Sequence, residues 1–420
     1  MKLNIEKLVF GGQGLSRTSQ GVVLCWNALP GEEVYADIER RKGDFSEATA
    51  TEILKPSPLR VKPKEDHYLS CGPWQIITWA GENEWKKKIV LETLEKIGGI
   101  ILKEDPQIVS DPSTEWNYRS KMDYFLAQNK QGKPSLAFFK RGTDVLIPVD
   151  GCELATKEVS RAAKKVLEWI DKGKVPLQAV KRMVVRNEGP KAIASIILKE
   201  EFPAVNYPLI DSDLSGFHVY PSRGLEGEEV RPLFTEGEKY LSVHIKDASL
   251  RYGALSFFQV NLPVFNRVLD DIEHFLSKDN DIVDYYCGVG AISLPLSKKF
   301  KQAILVDSSP SSIKDARANI KDNAIINCQA EISMAERAVE HIKADSTIIF
   351  DPPRAGLHRN IIEKVIEEKP ERIIYLSCNI ASQARDLKKI LPHYQIKFYR
   401  IYNFFPKTPH IEGLCVLDRA

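Results

Sequence analysis

The sequence predicts an α/β chain whose last third is an open, doubly wound parallel sheet. Three observations predict it. From about Ser256 onward, apolar β-prone runs alternate with amphipathic segments, the pattern of a parallel sheet with crossover helices. One such run, residues 282–286, leads directly into the glycine-bearing loop Cys287-Gly288-Val289-Gly290. The next run, residues 303–306, ends in Asp307. A carboxylate at that strand end, about 20 residues beyond a glycine loop, is placed to accept hydrogen bonds from ribose hydroxyls.

Composition bounds the rest. The chain has 420 residues, 43% hydrophobic and 28% charged, enough for two or three units with real cores. Seven cysteines at wide, irregular spacing do not form a disulfide framework. No apolar run approaches the roughly 18 residues of a membrane helix. The start carries Glu6 and Lys7 and lacks a signal-type apolar core, so the cytoplasm is the expected location, with no membrane partner. A net charge of only +2 excludes a wholesale polycation but leaves room for local basic patches.

Residues 1–58 read as a small, OB-like β-barrel. Leu8-Val9-Phe10 runs into the turn Gly11-Gly12-Gln13-Gly14, and the runs 21–24 and 34–38 flank the turn Leu29-Pro30-Gly31-Glu32. Arg40, Arg41 and Lys42 are expected just beyond the third strand. The prolines of Pro56-Ser57-Pro58 and Val61-Lys62-Pro63 mark a connector.

Residues 59–250 read as a mixed α/β central domain. A helical pattern carries the lysine run Lys86-Lys87-Lys88. Residues 118–125, 138–142 and 181–186 alternate as strands, each mixing aromatic or aliphatic groups with Lys or Arg. Such surfaces suit RNA, with cations for phosphates and rings for bases. The bland alternative is a half-buried strand with a solvated cationic face.

Residues 251–420 carry the chemistry. The strand 347–350 ends in Asp351-Pro352-Pro353-Arg354, whose prolines fix a rigid extended loop. The run 372–376 ends in Ser377-Cys378-Asn379, which puts a thiol at a strand end and near a helix amino terminus. Alone, Cys378 reads as a small core cysteine. Glu412, just before the apolar run 414–417, alone reads as a surface group.

Taken together, and in this order, Gln259 in Ser256-Phe257-Phe258-Gln259-Val260-Asn261, the glycine loop, Asp-Pro-Pro-Arg, Ser-Cys-Asn and Glu412 closely resemble the RNA 5-methyluridine methyltransferase family. The barrel resembles the TRAM domain found on the 23S ribosomal RNA type. The resemblance implies a Rossmann-like, S-adenosylmethionine-dependent catalytic domain behind the barrel and the central domain. It implies Cys378 as nucleophile and Glu412 as base. Gln259, Tyr286, Asp307 and Asp351 match positions that contact S-adenosylmethionine, with Gly288 and Gly290 shaping the loop. Two departures stand out: Ala291 where the family often has Asn, and Asp307 where it usually has Glu. Amino-group methyltransferases instead carry Asn-Pro-Pro-aromatic, and Asp351 and Arg354 break that pattern.

The preferred substrate by resemblance is 23S ribosomal RNA, with transfer RNA as the alternative and a monomer as the expected state. A non-catalytic RNA-binding protein on a methyltransferase fold is the reading from another class. Some relatives hold an iron–sulfur cluster; on their pattern the positions here are Glu65, Cys71, Trp74 and Cys152. Two thiolates of four predict no cluster and no metal. His67 reads as a solvated or core histidine.

Overall fold

The computed structural model describes residues 1–173, 175–200, 207–208, 210–221 and 231–420. The first sheet has six strands in the order Lys2–Asn4, Glu33–Lys42, Phe45–Lys55, Gly21–Trp26, Gly14–Thr18 and Lys7–Leu8. Alternate residues turn inward, and Leu3, Val23, Cys25, Val34, Ala36 and Ala48 form its core. Arg40, Arg41 and Lys42 are exposed, but they lie inside the ten-residue strand Glu33–Lys42 and not beyond it. Pairing with the long strand Phe45–Lys55 carries the ladder through them. Gly12 sits at φ +95, and a Cβ there would lie 2.3 Å from Pro409 Cβ. That close approach seats the Gly11–Gly12 turn on the loop that leads to Glu412.

The stretch 59–250 contributes to three sheets. Its first part packs on the C-terminal unit. Trp74, Ile77, Ile89 and Val90 share one core with Ile348, Ile373, Ala384 and Leu387. The helix Trp79–Thr93 supplies much of this face, capped by Thr78 Oγ1 accepting from Gly81 N. Ile108–Val109 then pairs in parallel with Tyr394–Tyr402 as an edge strand.

The second part forms a seven-stranded sheet: Leu146–Val149, Pro134–Phe139, Lys121–Gln128, Val180–Glu188, Lys191–Leu198, Gly216–Pro221 and Phe234–Gly237. The helix Lys157–Asp171 covers it through Val159, Ala162, Ala163, Val166 and Ile170, an apolar stripe at helical spacing. The hairpin Tyr240–Ile245 with Ala248–Gly253 packs instead on the C-terminal unit, where Leu241, Leu250 and Tyr252 join Val264 and Phe265.

The eight-stranded sheet runs Cys328–Ile332, Gln302–Asp307, Asp281–Tyr285, Ser346–Phe350, Arg372–Ser377, Glu412–Arg419, Tyr394–Tyr402 and Ile108–Val109. The first five strands are parallel; Glu412–Arg419 inserts antiparallel between Arg372–Ser377 and Tyr394–Tyr402. Asp281–Tyr285 is followed in sequence by its neighbour on one side, and the chain later returns to its other side with Ser346–Phe350. That reversal opens a crevice at the carboxyl ends of these two strands.

Candidate active site

Three loops meet at that crevice. Tyr286 follows the strand Asp281–Tyr285 at φ +64, a left-handed conformation that costs a non-glycine residue energy and is common where a site over-determines the backbone. Gly288 has φ +57, and a Cβ on it would meet nothing within 4 Å, so the loop leaves open space above it. Asp307 ends the next strand. Its Oδ2 accepts from Gly288 N at 2.9 Å and its Oδ1 from Ser309 N at 2.8 Å. The carboxylate thereby ties the glycine loop to the helix Pro310–Asp322, and each oxygen keeps acceptor capacity for a hydroxyl.

Asp351 follows Phe350, whose register partners are Tyr285 and Tyr375. It is therefore flanked by the glycine loop on one side and the Cys378 loop on the other. Asp351 N donates to Tyr285 O at 3.4 Å.

Sheet register brings the thiol and the second carboxylate together. In the antiparallel pairing of Arg372–Ser377 with Glu412–Arg419, Ser377 stands opposite Gly413. One step further along each strand are Cys378 and Glu412. Cross-strand neighbours share a face of the sheet with Cβ atoms about 5 Å apart. Glu412 is buried and Cys378 half-buried. Asn379 caps the following helix, Ile380–Ile390, by accepting from Ala381 N and Ser382 N.

The acids perturb one another. Burial pushes the Cys378 thiol up to about 11, reinforced by the negative charges of Glu412 and Asp351. Burial raises Glu412 to about 8, with Asp351 adding to the shift. Asp351 is raised to about 7 by burial, then by Asp284. The helix amino terminus expected to favour the thiolate is thus outweighed by desolvation and two carboxylates. In the resting site the thiol holds its proton.

A single cleft of about 1210 Å³ is lined by Gln259, Tyr286, Gly288, Asp307, Asp351, Cys378 and Glu412. Gly290 is the one sequence-predicted residue outside it. It sits at φ +86 and a Cβ there would lie 2.5 Å from Leu294 Cδ1, so its role is to let the loop pack. The cleft also takes in Lys121, Arg182 and Lys239 from the central-sheet side.

These features have counterparts in known proteins. A family model described as tRNA (Uracil-5-)-methyltransferase matches residues 236–420. An uncharacterized RNA methyltransferase of Aquifex aeolicus is 30% identical over 429 residues, spanning 100% of this chain and 98% of that protein. The chain belongs to the RNA uracil-5-methyltransferase family. An uncharacterized RNA methyltransferase of Listeria innocua is 27% identical, covering 99% of this chain and 97% of its own length. Among solved structures, Pyrococcus abyssi tRNA (uracil-54, C5)-methyltransferase in complex with S-adenosyl-L-homocysteine matches with a TM-score of 0.78 and 25% identity. That match covers 99% of this chain and 100% of the other.

Several residues that shape this methyltransferase's site carry no sequence signal of their own. Lys86, read in sequence as part of a lysine run, is fully buried. It pairs with Glu82 at 2.8 Å and donates to Asn403 Oδ1 and Phe405 O, bracing the loop before Glu412. Arg186, read in sequence as a cation for RNA, is 2% exposed. It donates to Gly253 O and Ser256 O, holding the segment that carries Gln259. Only the i, i+4 spacing of Glu82 and Lys86 was a usable hint. At the remnant cluster positions, Glu65, Cys71 and Cys152 converge, but Trp74 turns away and donates to Gly12 O. His67 takes the fourth place.

Proposed function

We propose that the enzyme methylates carbon 5 of a uridine in RNA, using S-adenosylmethionine and a covalent adduct between Cys378 and the uracil ring. The observation that carries this reading is the register that sets Cys378 beside Glu412 at the crevice, next to Asp351. The crevice fits the methyl donor. Gly288 leaves room for it, Asp307 offers acceptors for ribose hydroxyls, and Asp351 sets negative charge where a sulfonium belongs. When bound, S-adenosylmethionine supplies an electrophilic methyl group and a positive charge.

Carbon 5 of uracil is a weak nucleophile. Addition of the Cys378 thiolate to carbon 6 gives an enolate with negative character at carbon 5. Carbon 5 then takes the methyl group, and S-adenosylhomocysteine leaves. Glu412, in its charged form, removes the remaining proton from carbon 5. The electron pair of that C–H bond reforms the 5,6 double bond, and the Cys378 thiolate is expelled. A cationic donor beside Asp351 lowers the pKa values of all three neighbouring acids by Coulomb attraction, so donor binding favours the thiolate. The uracil must leave its stack to reach Cys378. Lys121, Arg182 and Lys239 extend the cleft toward the seven-stranded sheet, where a phosphate backbone can run.

Ribosomal RNA is the first substrate reading, supported by the barrel-plus-remnant layout. Transfer RNA is the second, because the full-length neighbour from Pyrococcus abyssi is a tRNA (uracil-54, C5)-methyltransferase. Methyl transfer from tritiated S-adenosylmethionine to ribosomal RNA and to transfer RNA decides between them; transfer to neither supports a binding protein without catalysis. RNA carrying 5-fluorouridine lacks the proton Glu412 must remove, so it traps the adduct. Cys378→Ala abolishes trapping and turnover; methylation at the wild-type rate by that variant would sink the adduct.

A further inference from the structure

Outside the crevice, one cluster gathers ligand-type atoms that the methyl transfer does not use. Glu65, His67, Cys71 and Cys152 each offer one ligand atom, and these atoms all lie within 4.8 Å of one another. Cys71 Sγ is 3.3 Å from Glu65 Oε2, and His67 Nε2 is 3.2 Å from Glu65 Oε1. Both thiols are free and buried. His67 Nε2 is buried and faces the group, with Glu65 Oε1 at 3.2 Å beside it.

The donor set does not fit a four-iron cluster. Such a cluster takes four thiolates, one for each iron, and needs its ligands further apart than a single ion does. Two sulfurs, one imidazole and one carboxylate, drawn this close, match one tetrahedral ion. Zinc binds sulfur at about 2.3 Å and nitrogen or oxygen at about 2.0 Å, which sets ligand–ligand edges of roughly 3.3–3.8 Å. We propose that Glu65, His67, Cys71 and Cys152 hold a single structural zinc ion in place of the iron–sulfur cluster.

The surroundings support it. Gln75 Nε2 donates to Glu65 Oε2 at 2.6 Å, and Glu153 N donates to Glu65 Oε1 at 2.7 Å, so the carboxylate is already oriented. Two thiolates, a carboxylate and a dication sum to one negative charge. Arg119 donates to Cys71 O and Arg141 to Leu69 O, placing guanidinium groups beside that charge. The zinc closes a long loop, from the segment after the barrel to the turn before the helix Lys157–Asp171. It also lies behind the Glu412 loop, because Trp74 N donates to Lys407 O at 3.0 Å just beyond Cys71. The relatives' pattern assigned Trp74 to the fourth position; the geometry puts His67 there instead.

The test uses full-length protein made in medium containing both zinc and iron, isolated anaerobically without chelator. Zinc, iron and acid-labile sulfide are counted per chain. One zinc and negligible sulfide are expected, and cobalt(II) exchange should give a thiolate-to-metal charge-transfer band. His67→Ala and Cys152→Ser should hold far less than one zinc. Gln75→Ala, which keeps all four ligands, should bind zinc about 10–100-fold more weakly and so tests the site even where a ligand variant fails to fold. Metal-free wild-type protein, iron with sulfide, a Cys71–Cys152 disulfide, or a Gln75→Ala variant with unchanged zinc affinity would each overturn the proposal.

Discussion

Asn379 Nδ2 donates to Arg354 O at 3.0 Å, joining the Cys378 loop to the Asp351 loop. The same side chain caps the helix Ile380–Ile390 through its other end. One residue thus fixes both the start of the helix and the spacing between Cys378 and Asp351. Asn379→Ala removes the cap, at about 1 kcal/mol of stability. It also frees the two loops, and kcat is expected to fall about tenfold, the equivalent of about 1.4 kcal/mol in the barrier. Asn379→Asp keeps the cap and loses only the donor to Arg354. Its melting temperature should stay near that of the wild type while kcat falls, and a comparison of melting curves with turnover checks the separation.

Glu412 and Cys378 make activity pH-dependent in one direction. Both are raised, Glu412 to about 8 and Cys378 to about 11, and the proposed mechanism uses both in their deprotonated forms. The active fraction therefore grows with pH, and kcat/KM should climb between pH 6 and pH 9, tenfold per unit at most for each group that titrates alone. Glu412→Gln should still form the adduct on ordinary uridine RNA but release product slowly. Single-turnover adduct formation followed by chase measures both steps, and normal release by the variant would remove Glu412 from the role of base.

Asp284 links pH to stability. It is fully buried in the strand Asp281–Tyr285; Oδ2 accepts from Ser293 Oγ at 2.6 Å, while Oδ1 has no hydrogen-bond partner among the described residues. Burial raises its carboxyl from 3.8 to about 7. The folded state therefore binds the proton more tightly than the unfolded chain. Its contribution is complete below about pH 4 and is lost as pH rises toward 7, a difference on the order of 4 kcal/mol. Asp284→Asn removes that slope, so the variant should gain stability relative to wild type between pH 5 and pH 8. Urea midpoints across this range give the sign directly.

The two glycines of the loop separate cofactor binding from folding. Gly288 faces open space and Gly290 faces Leu294 and Leu305. Both have positive φ, so alanine costs roughly 1–2 kcal/mol of backbone strain at either position. Gly290→Ala adds a clash at 2.5 Å with Leu294 and should lower the melting temperature markedly. Gly288→Ala should lower it little and instead weaken S-adenosylhomocysteine binding by about tenfold or more, about 1.4 kcal/mol, as titration calorimetry would show.

Much of this arrangement was legible because strand ends announce themselves. Apolar runs that stop at Asp307, Asp351 and Cys378 place polar groups at one edge of a parallel sheet, whatever the details of packing. The hidden part depends on pairings between distant segments. Whether Cys378 faces Glu412 is decided by the register of an antiparallel strand inserted from the end of the chain. Lys86 and Lys87 are neighbours of one residue type, yet Lys86 is buried against Asn403 while Lys87 pairs with Asp105 near the surface. His67, rather than Trp74, joins the Glu65 cluster, which linear spacing does not reveal.

Arg186 shows the same limit and yields a contrast that can be measured. In sequence it belongs to the same cationic strand as Arg182. In the fold Arg182 lines the cleft beside Asp123, whereas Arg186 is buried with its guanidinium over the Tyr252 ring at 4.9 Å. Its two carbonyl partners, Gly253 O and Ser256 O, belong to the segment before Gln259, which Asp315 also ties through Gly253 N and Ser256 Oγ. Removing one member of such a buried charged network costs several kcal/mol. Arg186→Gln should therefore lower stability and raise KM for S-adenosylmethionine, and leave the salt dependence of RNA binding unchanged. Arg182→Gln and Lys239→Ala act on the cleft wall and should weaken RNA binding with a smaller salt slope, because fewer phosphates are neutralised. Filter binding at several salt concentrations, beside urea denaturation, distinguishes the two. A reduced salt slope in Arg186→Gln would return that arginine to the RNA surface.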